Sequence, residues 1–490
     1  MKVLVNAAAE AEVRVIPAYA GEPFPLRLPE QAAEACAATW LYGRQADEDD
    51  VLVIGLGERE RLTPETIRRA AGIAARKLLD AGRSSGLLIA GPTDGQVAPS
   101  KVVAEAEWLQ AWLEGWAFGQ YRYEEYRQAT RLGRTVDLHL RAEDWQKLTA
   151  EELEAVIRKA ENRAAGVILT RNLVNDPPEK LHPEHLARWL EDYFAGSDDA
   201  VRVHVYRGEE LVERQMNGLL AVGAGSPHGP ALVEINYESD PSMPKLVLIG
   251  KGVTFDMGGM NVKTSPEISD ARMDMGGAAA VIGALDILIR ERAKVNVTAL
   301  LPIVDNLPGT RAMLPSSVIR YPNGLTVQVA NTDGEGRLII ADALIHAASL
   351  GAKQVIDIAT LTGNVGAALG LGLAGIWGDE EMTRELVDIG KRNGELLWPM
   401  PLVDEYESAL KSDYADLRNV GTSPMAGAII AALFIRRFVT KPMKWVHIDM
   451  AGTGQYKTDV GYSPVGATGY GARLLADYAV RYRALTRGDS

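Results

Sequence analysis

Cysteine is almost absent from this chain, which contains one, Cys36, among 490 residues. A single cysteine excludes an internal disulfide and suits a reducing compartment. Histidine is also scarce, with seven residues, and no HExxH segment occurs. A zinc site built from thiolates or from a histidine helix is therefore not expected. Any metal site would then consist mainly of oxygen ligands. Such a site suits magnesium, manganese or a zinc pair bridged by carboxylates.

Positive charge and long apolar runs are lacking as well. Lysine and arginine number 52 against 65 acidic residues, a net charge of −13 that argues against general binding to nucleic acid or anionic membranes. The longest apolar run, Ala426 to Ile435, is too short to span a bilayer. The N-terminal stretch MKVLVNAAAEAEVRV alternates and then gains charge, which predicts a first strand and not a secretory signal. We therefore expect a cytoplasmic protein with no nucleic-acid and no membrane partner.

The composition is that of a globular protein, and the length is too great for one ordinary core. Residues 1–150 alternate strand and helix patterns, which predicts an N-terminal α/β domain with a parallel or mixed sheet. One of its helices is predicted from Thr63, the N-cap, to Gly82, the stop, with Pro64 at the first helical position. Residues 151–170 are strongly helical and predict a connecting helix. Residues 171–490 show buried strands separated by helices, which predicts a second, doubly wound α/β domain.

Charged residues in an apolar setting are concentrated between Lys245 and Leu338. They are flanked by glycines and apolar runs, and the runs LVLIG and TVQVA have the pattern of buried strands. Their ends would bring the charges into an interior cleft, where charges are tolerated only when paired or bound to metal. The cluster consists of four carboxylates and three cations: Asp256, Asp274, Asp333, Glu335, Lys251, Lys263 and Arg337.

These residues predict a site for hard divalent cations. A structural ion-pair network is the alternative, but burying so many charges is a poor route to stability. A lysine among such carboxylates is either a protonated counter-ion or a neutral amine ligand. A metal pair would activate water for hydrolysis of amides, and it would equally suit phosphate esters. A phosphatase is therefore the alternative function, although the flanking segments are apolar and no basic phosphate-binding cluster is present.

Several segments resemble the signatures of the leucyl aminopeptidase family, the two-metal cytosolic exopeptidases. The similarity covers roughly residues 165–480, and NTDGEGRL is close to diagnostic. It implies a catalytic domain at residues 171–490 and an active metallo-aminopeptidase that releases leucine and other large apolar N-terminal residues from peptides. It also implies a homohexamer. The segments that carry the resemblance are GKGVTFDMGG, NVK, MDMGGAAA, NTDGEGRL, DIATLTG, HIDMAG and GATGYGARLL.

The resemblance further implies a role for each charged residue. One metal would be held by Lys251, Asp256, Asp274 and Glu335, and the second by Asp256, Asp333 and Glu335. The ions would be Mn²⁺ or Zn²⁺, with Co²⁺ or Mg²⁺ as further possibilities. Lys263 would polarise the substrate carbonyl, and Arg337 would hold a bicarbonate ion that acts as general base. The substrate cleft would be lined by Thr360, Leu361, Gly363 and Ala451.

Three other positions carry separate expectations. Ala271 occupies a position where many family members have a methionine, so we expect a reshaped pocket that tolerates large or aromatic N-terminal residues. His182 and His185 have a spacing that metal ligands use, but a capping or surface role beside Pro183 is favoured. His346 follows the apolar pattern of its helix and is predicted to be packed.

Overall fold

The computed structural model describes residues 2–6, 11–24, 27–43, 45, 48–90, 103–128, 133–264 and 268–487. Contacts divide the chain into two compact units. The first contains the chain up to Ile168, with Arg392–Gly394 and Tyr456–Val465, and the second contains the remainder. The boundaries at residues 150 and 170 stay a prediction. One continuous helix, Ala150–Asn175, passes through that stretch of the chain.

The first unit is built on a six-stranded sheet. Its strands lie in the order β1-β6-β5-β2-β4-β3, and all neighbours are parallel except β3 and β4. This confirms the predicted α/β domain with a mixed sheet. The elements are β1 (Val3–Val5), β2 (Val13–Tyr19), β3 (Ala38–Leu41), β4 (Asp50–Gly57), α1 (Pro64–Asp80), β5 (Ser85–Leu88), α2 (Glu105–Gln120), β6 (Asp137–Leu140) and α3 (Ala150–Asn175).

Two sequence predictions in this unit have different outcomes. Helix α1 begins as predicted, because the Thr63 hydroxyl accepts a hydrogen bond from the backbone N–H of Thr66 at 3.1 Å. It ends before Gly82, which has a φ of +72° that favours glycine. The N-terminal stretch, in contrast, forms two strands, β1 and β2, and not one. Residues 7–10 between them lie outside the described residues.

The second unit contains the larger sheet, in the order β16-β15-β18-β14-β9-β11-β8-β7 with β10 beside β11. Its elements, in chain order, are α4 (Pro183–Phe194), β7 (Val201–Arg207), α5 (Glu209–Glu213), α6 (Asn217–Gly223), β8 (Ala231–Glu238), β9 (Leu246–Gly250), β10 (Gly252–Asp256), α7 (Gly276–Arg290), β11 (Asn296–Asn306), β12 (Val318–Arg320), β13 (Thr326–Gln328), α8 (Gly336–Ser349), β14 (Gln354–Ala359), α9 (Gly363–Leu369), β15 (Ala374–Gly378), α10 (Glu380–Asn393), β16 (Leu397–Pro399), β17 (Leu417–Arg418), α11 (Gly427–Arg436), β18 (Lys444–Asp449), β19 (Gln455–Tyr456), β20 (Gly466–Ala467) and α12 (Ala472–Arg487).

Helices cover both faces of this sheet. Strands β18, β14, β9 and β11 are parallel and form its centre. Val247 and Ile249 of β9 belong to the same core cluster as Leu338 of α8. Gly250 faces the opposite side, because alternate residues of a strand do, and a Cβ there would lie 2.6 Å from the Cα of Ala278 in α7. The doubly wound α/β arrangement is confirmed.

Among the described residues, no helix is both long enough and apolar enough to cross a membrane.

Candidate metal and substrate site

The central parallel strands end at one edge of the larger sheet, where the predicted site residues begin. Lys251 follows β9, Asp256 ends β10 and Thr360 follows β14. The carboxyl ends of parallel strands are where ligands bind in doubly wound folds. A cavity of about 560 Å³ opens here, and every predicted site residue lines it. They are Lys251, Asp256, Lys263, Asp274, Asp333, Glu335, Arg337, Thr360, Leu361, Gly363 and Ala451.

Lys251 lies at the buried floor of this cavity. Its Nζ is 2.7 Å from a carboxylate oxygen of Asp274, 2.9 Å from Oε1 of Glu335 and 3.1 Å from the backbone oxygen of Thr360. Burial alone disfavours the charged amine, but the surrounding carboxylates outweigh it and raise the pKa of Lys251. Burial would also raise the pKa of Glu335, yet Lys251 outweighs it and lowers that pKa to about 2. The lysine thus holds two carboxylates from different segments together.

Three carboxylates converge above this lysine. Asp256, Asp333 and Glu335 each offer an oxygen, and these oxygens all lie within 4.8 Å of one another. Asp256 is oriented by the backbone N–H of Gly258 at 2.9 Å and by Nδ2 of Asn306 at 2.8 Å. Burial and then the neighbouring Asp256 raise the pKa of Asp333 to about 6. Hydrogen bonds hold these negatively charged carboxylates close together. Their oxygens form a set of ligands that suits hard divalent cations.

Lys263 reaches the same carboxylates from the NVK segment. Its Nζ lies 2.8 Å from Oδ2 of Asp256 and also bonds Asp333. About a third of the side chain is exposed, and it lines the cavity. Burial opposes its charge, but Asp256 outweighs burial and raises the pKa of Lys263. The side chain therefore keeps a positive charge in the wall of the cavity.

Arg337, in the first turn of α8, is the third cation of the cavity. It is buried, its Nη1 donates to the backbone oxygen of Asn419 at 2.8 Å, and no described residue accepts a hydrogen bond from its Nε. Burial lowers its pKa to about 10. A guanidinium that lines a cavity and keeps one donor unused can bind an anion.

Asn419 is a supporting residue that sequence reasoning missed. It is fully buried and secures the loop that carries Asp333. Its Oδ1 accepts from the backbone N–H of Ala330 at 2.8 Å, and its Nδ2 donates to the backbone oxygen of Asn331 at 2.6 Å. The loop and Asn419 are more than eighty residues apart. No local pattern connects them, so the sequence offered no signal for Asn419. In the structure, Val420 to Pro424, which follow it, also line the cavity.

Asp449, at the end of β18, is a second residue that was missed. Its buried carboxylate accepts from the backbone N–H of Leu361 at 3.1 Å and of Ala451 at 3.2 Å. It also accepts from the hydroxyl of Thr362 at 2.7 Å. One carboxylate therefore joins two segments of the predicted substrate cleft.

The packing predicted for His346 and the capping role favoured for His182 are both observed. His346 is buried, with Nε2 2.8 Å from a carboxylate oxygen of Glu234. His182 is the N-cap of α4, where its Nδ1 accepts from the backbone N–H of His185 at 3.4 Å. Neither residue lines the cavity.

Carboxylates gathered beside lysines, over a cavity large enough for part of a peptide, are the arrangement of a metal-dependent hydrolase. Comparison with known proteins defines the class further. Residues 168–476 match the catalytic domain of the cytosol aminopeptidase family, and residues 37–130 match its N-terminal domain.

Individual proteins agree with the family match. A probable cytosol aminopeptidase of Persephonella marina is 35% identical over 435 residues, 88% of this chain and 85% of the relative. Another, of Mycobacterium ulcerans, is 37% identical over 438 residues, 87% of this chain and 80% of the relative.

Solved structures agree as well. The bottromycin maturation enzyme BotP in complex with Mn is 30% identical, with a TM-score of 0.85 over 97% of this chain and 100% of that one. A mutant tomato leucine aminopeptidase is 28% identical, with a TM-score of 0.85 over 98% of this chain and 96% of that one.

The chain therefore belongs to the cytosol aminopeptidase family. It is a metal-dependent aminopeptidase, a hydrolase that acts on peptide bonds. The alternative function, a phosphatase, receives no support from these comparisons.

Proposed function

We propose that the cavity binds two divalent metal ions and releases leucine and other large apolar residues from the N-terminus of peptides. The observation that carries the proposal is the convergence of Asp256, Asp333 and Glu335 within 4.8 Å, beside Lys251 and Lys263. Five residues would hold the ions: Lys251, Asp256, Asp274, Asp333 and Glu335. Mn²⁺ or Zn²⁺ suits this set of oxygen donors and one amine, and the Mn-bound relative favours Mn²⁺.

The metal pair, when bound, supplies a water of lowered pKa and positive charge for the substrate carbonyl. Lys263 adds a further positive group at the open side of the cavity, where negative charge develops on the carbonyl oxygen. Arg337 has an unused donor and would hold a bicarbonate ion as proton acceptor. This arrangement leaves each carboxylate free to act as a ligand.

The peptide would lie against the part of the cavity that Thr360, Leu361, Gly363 and Ala451 line. Ala271 is buried in the turn Ser269–Met275, which also carries Asp274. We propose that its small side chain broadens the preference toward aromatic N-terminal residues. Ala271→Met would then lower kcat/KM for phenylalanine substrates relative to leucine substrates, and an unchanged ratio would exclude the effect.

We further propose that the protein is a cytoplasmic homohexamer. The cytosolic names of the relatives support the location. Association is supported by large apolar side chains that are exposed in the second unit, among them Trp398 at 56% and Met425 at 75%.

The decisive experiment is hydrolysis of leucine-p-nitroanilide after chelation, with Mn²⁺, Zn²⁺, Co²⁺ or Mg²⁺ restored one at a time. We expect activity to return with a metal, to require the free α-amino group, and to be absent on the N-acetylated substrate. Asp333→Asn should lose metal-restored activity, whereas Asp413→Asn, outside the cavity, should keep it. Hydrolysis of the acetylated substrate, or none with any metal, would contradict the proposal.

A further inference from the structure

A second group of metal-ligating side chains lies outside the cavity. His182, Glu184 and His228 each offer a ligand atom, and these atoms lie within 4.8 Å of one another. His182 and Glu184 are at the start of α4, and His228 is in the loop before β8. None of the three lines the catalytic cavity. Nothing in the proposed peptidase chemistry uses them.

Each of these residues is held in place by the surrounding backbone. Oε1 of Glu184 accepts from the backbone N–H of Gly229 at 2.9 Å, which leaves Oε2 3.9 Å from Nδ1 of His228. The backbone N–H of His228 donates to Ser226 Oγ at 3.0 Å, and Ser226 Oγ donates to Asp305 at 2.9 Å. The loop and the helix end are thus positioned toward each other without help from an ion.

The charges around the group favour a cation. Asp305 is buried, and its carboxyl group interacts electrostatically with both His182 and His228. The carboxylate of Glu184 lies 3.9 Å from Nδ1 of His228.

Binding of an ion would require both histidine rings to rotate. The rings of His182 and His228 are stacked, with centroids 3.8 Å apart and planes at 15°. An ion needs the in-plane lone pair of each ring, so the rings must turn about χ2, a broad torsion in histidine. His182 gives up its hydrogen bond from the N–H of His185, which at 3.4 Å is long and weak.

We propose that His182, Glu184 and His228 form a separate, solvent-facing site for a transition metal ion such as Zn²⁺. Two imidazoles and one carboxylate are a ligand set that zinc, cobalt and nickel accept, whereas magnesium and calcium prefer oxygen alone. Glu184 and His228 are partly exposed, at 50% and 36%, which provides a path for the ion and leaves coordination positions for water. The site is independent of the two ions assigned to the cavity.

The test is the zinc content of the full chain after chelation and equilibrium dialysis against Zn²⁺, measured by mass spectrometry of the metal. We expect His182→Ala and His228→Ala each to bind one zinc ion fewer per chain than the unmodified protein. Glu184→Gln, a more conservative change, should weaken the same ion. His204→Ala is the matched control, because His204 lies 3.1 Å from Glu210 on the surface but has no second histidine ligand in that group.

Two outcomes would overturn the proposal: equal zinc content in the unmodified protein and both histidine variants, or an equal loss in the His204 control. The difference between proteins is measured, so the result does not depend on how many ions the cavity holds. Leucine-p-nitroanilide hydrolysis with Mn²⁺ should stay unchanged in all variants. Thermal unfolding of each variant shows that the zinc loss does not come from misfolding.

Discussion

At the scale of single residues, the two lysines of the cavity differ in how far they are buried. Lys251 is enclosed by Asp274 and Glu335, whereas about a third of the Lys263 side chain is exposed. Loss of the buried lysine would leave its carboxylates unpaired. Lys263 pairs with Asp256 and Asp333 and also lines the cavity. The two therefore call for different tests.

Replacing Lys263 by methionine should reduce catalysis and leave metal content unchanged. The variant keeps the length of the side chain but removes the positive group at the developing oxyanion, a loss worth about 10²–10³-fold in kcat. The measurement is kcat and KM for leucine-p-nitroanilide, together with metal content per chain. Lys245→Met is the control, because Lys245 pairs with Glu238 away from the cavity. If Lys263→Met instead lost the metals, its role would be retention of the ions.

Glu234 provides a prediction about acid stability away from the cavity. Burial would raise its pKa, but hydrogen bonds from His346, Asn236 and Tyr206 outweigh burial and lower it to about 2. A depressed carboxyl pKa stabilises the fold above the ordinary value near 4.5 and loses that contribution as the pH falls toward 2. Glu234 therefore stabilises the fold at neutral pH.

Glu234→Gln should therefore lower the melting temperature at pH 7, and the difference from the unmodified protein should shrink as the pH falls from 5 to 3. Glu238→Gln, on the same strand but one-third exposed, is the matched control and should change little at either pH. A difference that stays constant over this pH range would contradict the assignment.

The sequence predicted the charged residues of the site but not the residues that support them. Asp256, Asp333 and Glu335 stand out because glycines and apolar residues surround them in short segments. Asn419 has no such local setting, and Asp449 has one in the segment HIDMAG, but the segment does not show which groups the carboxylate supports. Their importance comes from hydrogen bonds to backbone groups that only the folded chain brings near.

At the scale of elements, helix α7 packs very closely against the sheet at Gly277. A Cβ at Gly277 would lie 2.1 Å from the backbone oxygen of Ile358 in β14. The same oxygen accepts a hydrogen bond from the backbone N–H of Lys251 at 3.1 Å. Contact with α7 therefore fixes both the helix and the peptide that carries a predicted ligand.

Gly277→Ala should push α7 away from β14 and destabilise the protein by about 1–3 kcal/mol or more, because the obstacle is backbone and cannot turn aside. We expect a lower melting temperature together with reduced metal-restored activity. Gly372→Ala is the control, since no atom lies within 4 Å of a Cβ there and its φ is ordinary. Equal melting temperatures for the two variants would show that α7 can move away from β14 with little loss of stability.

Element boundaries were predictable where the sequence contains its own stop and start signals. Thr63, Pro64 and Gly82 define α1 because capping and positive φ are local properties. The prediction of a single strand for the N-terminal stretch was wrong, because alternation along the chain does not show where a strand ends. Pairing of β1 with β6, more than a hundred residues away, decides that.

At the scale of the whole molecule, the proposed hexamer makes a direct prediction about mass. Sedimentation velocity at micromolar concentration should give six times the chain mass of 53.0 kDa. Trp398→Glu places a charge on an exposed apolar position and should weaken association. The control is Lys391→Glu, which exchanges one charged residue for another in the same unit and should weaken association less. A monomer of the unmodified protein would contradict the hexamer without affecting the peptidase assignment.

The predicted ligands come from three separate segments, at residues 251–256, 274 and 333–335, which only the folded chain brings together. An ion that binds them selects the native state over the unfolded one, and at one hundred times its dissociation constant it adds about 2.7 kcal/mol to stability. Metal supply would then govern how long the protein survives as well as how fast it works. A chain deprived of its ions would be inactive and also more often open to proteases, so scarcity would reduce the amount of enzyme present.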